Sequence, residues 1–426
     1  MKTHWAWRFV VTMLACLASG PNLFGQVPGS PYPGQPTGQP MGLPGYGAPP
    51  AYGNPYGAMP AGYMGEEAGM MAEGMEGYGE YAGGDEMYCS PGRSLLEFIL
   101  PDPEGGLCAP RWFDFAVDAV RLRRDEVARR RYDFTHDGLG AGGVSVLNSD
   151  NLDFQDEYGF RALAAFQWGP GGVIELGYLG TFNFNTAAQV NGTNNLFSVF
   201  SNFGNNPAVL FDQVDRAAFH DIQYSSQFNS FEISYRRRRQ GEDCRLQYSW
   251  LAGIRYFELN EDFVHNTRRV NGLDFDYLNY LVHTGNALTG FQIGGDAWIT
   301  LFPGLRVGGE MKAGIYGNHA RANTHLVAGS AGNTIFDANE SALSNEAALV
   351  AEASMNLLYK LNHNWTFRAG YNFLFVDGVA LGIENFNPEP PQFSGAPGFV
   401  VRRTPFINTG GNVFYHGASL GLEYMW

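Results

Sequence analysis

The stretch HGASLGLEYMW, residues 416–426, decides how the whole chain is read. Trp426, Tyr424, Leu422, Leu420 and Ala418 fall on one side of a period-2 pattern. Met425, Glu423, Gly421, Ser419 and Gly417 fall on the other. Successive side chains of a strand point to opposite faces, so this alternation predicts a strand with one aromatic-aliphatic face. Soluble domains leave their last residues to fray. A chain ending on such a face is built for a non-aqueous surround.

The same period recurs upstream. Phe113, Phe115, Val117 and Ala119 oppose Asp114, Ala116 and Asp118. Near 155–168, Tyr158, Phe160, Ala162, Ala164, Phe166 and Trp168 oppose Glu157, Arg161 and Gln167. Over 172–183, Ile174, Leu176, Tyr178 and Phe182 oppose Glu175, Thr181 and Asn183. Further strands are expected near 227–238, 245–258, 290–302, 305–317, 347–361, 364–376 and 413–426. Each reaches the roughly 9–11 residues that a tilted strand needs to cross a bilayer.

The connections carry as much information. GPGG, QGEDC, FPG and LNHN join alternate pairs of strands, while the other five gaps are long and rich in Asn, Asp, Gly and Thr. Strict alternation of short turns and long loops is expected of a transmembrane barrel. The fold class is therefore all-β: a closed antiparallel transmembrane β-barrel over 111–426, of about ten strands with twelve as the alternative count. Pairing of the first and last strands leaves no free edge. A soluble sandwich or propeller is the competing architecture.

Composition agrees. Aromatic residues make up 15% of the 426 residues, glycine contributes 56, and charged residues only 16%, which suits strands with tight turns. A net charge of −15 argues against nucleic acid as a partner. A mean hydropathy of −0.21 excludes a bundle of membrane-spanning helices. Residues 1–25, with Lys2 and Arg8 around the apolar run FVVTMLACLA, read as a secretory signal peptide. Residues 26–104 are low complexity, first Pro/Gly-rich and then Gly, Met, Tyr and acid, with ten acids and one base over 61–104. The expectation there is a disordered spacer, with a tether to the cell wall as the alternative. Once the signal is removed, Cys89, Cys108 and Cys244 remain. Export permits a Cys89–Cys108 or a Cys108–Cys244 disulfide. No spacing suggests a metal or cofactor.

The blocks LAGIRYFELNEDF (251–263), NALTGFQIGGDAW (286–298), KAGIYGN (312–318), RAGYNFLFVDGVAL (368–381) and VFYHGASLGLEYMW (413–426) resemble the beta-barrel porin-7 family of planctomycete outer-membrane proteins. That resemblance, over roughly 111–426, implies location in the outer membrane, contact with its lipid, and a pore. It supplies no solute and no catalytic motif. The terminal Leu422, Tyr424 and Trp426 are similar to the sorting signal that barrel-assembly machinery reads.

If the apolar face meets lipid, the other face lines the lumen. Candidate lining residues are Asp118, Arg161, Glu175, Glu232, Arg255, Asp296, Arg306, Glu310, Glu352 and Arg368. Lys312, Arg236, Lys360 and Glu423 share their face, and the near balance of signs predicts cross-strand ion pairs. Interior glycines such as Gly177, Gly294 and Gly421 mark either curvature or room for a solute, loop or plug. The run Arg236 to Arg239 reads as a solvated rim or an anion-favouring constriction. The cluster RLRRDEVARRR (121–131) reads as a headgroup grip or a solvated loop helix. Small outer-membrane barrels can also carry hydrolases at the rim, and His136-Asp137 and His220-Asp221 are the candidate bases. No Gly-x-Ser-x-Gly elbow accompanies them, so no enzymatic activity is expected. The leading reading is a narrow or gated channel for small hydrophilic solutes. The alternatives are a structural or wall-tethering barrel and a rim hydrolase.

Overall fold

The computed structural model describes residues 113–425, apart from 126, 129, 169–170, 206–210, 241–244, 273 and 390–402. The signal segment, residues 26–104, all three remaining cysteines and Trp426 lie outside the described residues. Twelve strands form one antiparallel sheet, ten of them a closed ring. They are β1 Phe113–Arg124, β2 Asp133–Asp137, β3 Val144–Asn148, β4 Glu157–Gln167, β5 Gly172–Ser198 and β6 Ala217–Gln240. After these come β7 Leu246–Asn271, β8 Asp274–Phe302, β9 Leu305–Ser330, β10 Asn333–Lys360, β11 Trp365–Val379 and β12 Gly411–Met425. The short β2 and β3 lie in the first long connection, and β2 pairs with the end of β5.

Closure runs through β1 and β12, with Phe115 opposite Tyr424, Val117 opposite Leu422 and Ala119 opposite Leu420. The stretch that opened the analysis is thus the seam of the barrel. Tyr424 lies against the ring of Trp365 at 4.9 Å. On the outside of the ring, Phe291, Ile315 and Met355 are 76, 72 and 70% exposed, alongside Phe231, Ile254 and Leu420. A continuous band of bare large apolar side chains is untenable in water and suits hydrocarbon.

The strands run well past what a bilayer requires; β8 has 29 residues. Two of the five expected long loops are in fact strand extensions closed by tight hairpins, and a third, between β5 and β6, is mostly strand extension as well. The clearest is Ser330 to Asn333, where Ala331 and Gly332 both take positive φ, 51° and 78°, as a two-residue type I′ turn demands. Hydrophobic patterning could not show this, because the pattern inverts. Along β7 the outward face passes from Trp250, Ile254 and Tyr256 to Glu258, Asn260 and Asp262. The inward face passes from Arg255 to Phe257, Leu259 and Phe263. The period stays at two while the faces exchange character.

One strand also breaks parity. Leu179 opposes Ser230, but the next pair is Phe182 with Phe228, so three residues of β5 match two of β6. The bulge centres on Thr181 at φ 69°. It turns Phe182 inward, to 2% exposure, correcting the outward placement expected from simple alternation.

Candidate functional site: the filled interior

The barrel interior has two levels. At the level of the apolar band it is polar and ion-paired. Arg236 on β6 is buried, and its Nε donates to Glu175 Oε1 at 2.6 Å and its Nη1 to Ser249 Oγ at 3.0 Å. It also pairs with Asp296 and, at 3.2 Å, with Glu310. Lys312 lies 2.7 Å from Glu232 and 3.0 Å from Glu310. Glu352 on β10 joins Arg161 on β4 at 3.1 Å to Arg255 on β7 at 2.9 Å. Those three strands are not neighbours, so these bonds cross the lumen rather than follow its wall. Arg368 holds Glu423 at 2.9 Å and Asp118 at 3.3 Å.

Nine of the ten candidate residues from the sequence therefore meet in the polar interior, in three ion-paired clusters. The tenth, Arg306, does not: it is exposed at the short-turn end and belongs to none of these clusters. Arg236, expected both on the lumen face and in the run that reads as a rim or a constriction, points inward; parity turns Arg237 and Arg239 outward, and Arg238, which shares the parity of Arg236, is exposed nearer the turn. Lys312, Gln292 and Glu423 complete the set. The interior glycines make room for these side chains. A Cβ on Gly177 would sit 2.6 Å from Glu232 Cγ, and one on Gly421 would overlap Asp118. Among the described residues, a cavity of about 40 Å³ is lined by Arg161, Glu232, Arg255, Lys312 and Glu352. By the volume one water occupies, that holds roughly three waters.

Above this level, toward the long connections, the interior is an aromatic core. Phe134, Phe154, Phe182, Phe228, Phe263 and Tyr280 are among its fully buried members. Three connections fold into the mouth: β2 with its flanks, the described residues 199–205 and 211–216, and residues 379–387, and every residue of this last stretch is buried. This last segment is a strap held by its main chain. Asn286 Nδ2 donates to the Ala380 carbonyl at 2.8 Å and Asn286 Oδ1 accepts from the Ala380 N–H at 2.7 Å. Asn318 donates to the Gly378 carbonyl at 2.9 Å, and Glu261 accepts from the Gly382 N–H at 2.9 Å. The same Glu261 pairs with Arg124 at 2.5 Å and accepts from Tyr224 and Ser226. Arg403 binds both oxygens of Glu340 and donates to the carbonyls of Asn387 and Glu389 at 3.2 and 3.0 Å.

None of this upper network was named from the sequence. Arg124 sat in what read as the basic start of an outer loop. Instead Arg121 and Arg123 face outward to Asp156 and Asp153, and Arg124 turns in. The available signal was parity: Arg124, Glu261, Asn286 and Asn318 continue the inward series of their strands. The candidate bases also fall elsewhere. His136 stacks on Phe203 at 3.6 Å and lies 3.2 Å from the Gly140 carbonyl. His220 is buried, with Nδ1 2.7 Å from Thr135 Oγ1, while Asp221 bonds Gln223 and Asn266. Neither forms the Asp-oriented imidazole that general-base chemistry needs. Aspartate–histidine pairs do occur at His283–Asp262, His325–Asp337 and His416–Asp125, on the outward face.

Burial sets the protonation of the mouth. His220 and His265, 5.5 Å apart and edge-to-face, are both held well down by desolvation, His265 to about 4. Desolvation pushes the Asp215 carboxyl up to about 6, against bonds from Ser201 and the Ser198 N–H.

No family model matches the chain, and no curated protein matches it. Among solved structures, the outer membrane protease OmpT from Escherichia coli is similar over 74% of this chain and 97% of its own, at 10% identity and a TM-score of 0.38. A Pseudomonas aeruginosa FadL homologue is similar over 74% of this chain and 90% of its own, at 7% identity and 0.25. The transport unit of the Escherichia coli autotransporter AIDA-I covers 77% of this chain and 94% of its own, at 9% and 0.25. The strand register, not these likenesses, establishes the barrel.

Proposed function

We propose that this chain is an exported outer-membrane barrel whose interior is shut: a structural or wall-linking membrane protein rather than a standing channel. The observation that carries this reading is the doubly filled lumen, with Glu352 tying Arg161 to Arg255 across it and the buried strap 379–387 above. A ten-strand barrel is narrow enough for side chains to fill, and wide water channels belong to larger rings. The apolar band supports membrane insertion, and the five blocks resembling the beta-barrel porin-7 family support the outer membrane. The short turns then lie on the periplasmic side, where the low-complexity residues 26–104 could reach the cell wall.

Planar-bilayer recording of the mature protein tests the proposal. The expected result is a silent bilayer with the wild type, and discrete steps when Arg403→Ala and Glu261→Gln together release the strap. Stable steps of open-channel size from the unmodified protein would overturn it in favour of the narrow-channel reading.

A further inference from the structure

We propose that the short-turn rim carries a binding site for anionic phospholipid, built from Arg237 and Arg239 and the aromatic rings beside them. The proposal rests on the membrane reading above. Alternation along β6 turns Glu232, Ser234 and Arg236 inward and Phe231, Ile233, Tyr235, Arg237 and Arg239 outward, toward the apolar band. Arg237 lies opposite Trp250 and Arg239 opposite Tyr248, residues 49 and 46% exposed. Tyr235 meets Trp250 edge-on at 5.9 Å, and Trp168, on the next hairpin, is 68% exposed. Aromatic side chains in that setting mark the level of the lipid headgroups.

The backbone brings the pieces together. Gly172 opposes Arg237, and its missing side chain leaves room for the Tyr235 hydroxyl, which lies 2.9 Å from where a Cβ would sit. The Arg238 N–H donates to the Gly171 carbonyl at 2.8 Å, tying the two hairpins edge to edge. The contrast with Arg236 is decisive. Arg236 is saturated by Glu175, Asp296 and Glu310, whereas among the described residues neither Arg237 nor Arg239 has an acidic partner. Two side chains two residues apart on a strand leave the backbone about 7 Å from each other on the same face. Each offers a planar fork that suits a phosphate. The arrangement fits a lipid bearing two phosphates on one headgroup better than a lipid bearing one.

The test uses the mature protein in phosphatidylcholine vesicles doped with phosphatidylglycerol or with diphosphatidylglycerol. Flotation reports insertion and native mass spectrometry counts retained lipid. The wild type should retain the anionic lipids, diphosphatidylglycerol above phosphatidylglycerol, and millimolar inorganic phosphate should not displace them. Arg237→Gln with Arg239→Gln should float equally well yet lose retention by roughly fivefold or more, whereas Arg237→Lys with Arg239→Lys should lose less, because charge persists without the fork. Equal retention by the Gln variant, or displacement by inorganic phosphate, would overturn the site. Failure of the wild type to float would instead sink the membrane reading itself.

Discussion

Acid should loosen the mouth of the barrel: three buried groups set the direction, and two of them give the least magnitude. His265 is ringed by Phe134, Phe200 and Phe386, one from each of the three inserted segments, at 5.8 to 6.1 Å. The nearby acids are engaged elsewhere: Glu261 with Arg124, Asp276 with Ser330 and Asp221 with Gln223. Arg403 is bound to Glu340. A histidine held at about 4 in the closed mouth and near 6.5 when exposed contributes nothing at pH 7.5. As pH falls below 6.5 the open form takes up the extra proton, so the closed form loses about 2 kcal/mol by pH 5. His220, depressed in the same sense, adds to that loss. Asp215 works the other way. Raised to about 6, it is protonated earlier in the closed form and returns about 1.4 kcal/mol at pH 5. His265 and Asp215 together leave a net loss of about 0.6 kcal/mol, which His220 enlarges, so the open population should rise by at least about threefold. Hydrogen exchange of the Ala380 and Gly382 amides between pH 7.5 and 5, corrected for intrinsic rate, measures this. Replacing both histidines by Phe should reverse the slope, leaving only the Asp215 effect. A profile that stays flat in the wild type, or keeps its sign in the double variant, would refute the reasoning.

Three other outcomes follow from the geometry. Glu352→Ala strips the shared partner from Arg161 and Arg255 and should cost about 3 kcal/mol, read from urea unfolding of the reconstituted protein, because the remaining guanidiniums stay buried. Gly421→Val places a side chain against Asp118 and the Val117 carbonyl at the β1–β12 seam. It should abolish the compact, heat-modifiable form on cold gel electrophoresis. Thr181→Asn keeps the bulge but relieves a β-branched residue at φ 69°, and should raise the unfolding free energy by about 1 kcal/mol in the same urea assay.

Alternation made the membrane-level barrel legible, because there one face must meet hydrocarbon and the other must not. That is why Asp118, Glu232, Arg255 and Glu352 could be placed on one inner wall from the sequence alone. The same logic failed above the band for a physical reason. Once the outer face meets water, nothing forces it to be apolar, and the inner face fills with aromatic residues from inserted segments. Polar-outward Glu258, Asn260 and Asp262 with buried Phe257 and Leu259 then look like a loop to any reading that expects one orientation throughout. Bonds that cross the lumen are also invisible to a strand-by-strand pattern. Alternation says that Arg161 and Glu352 face inward, but only the closed ring of ten strands says that inward from β4 and inward from β10 are the same place. Whether such a ring conducts is therefore settled by the reach of side chains across the lumen rather than by their parity, and it is the reach of Glu352 that argues here for a shut barrel.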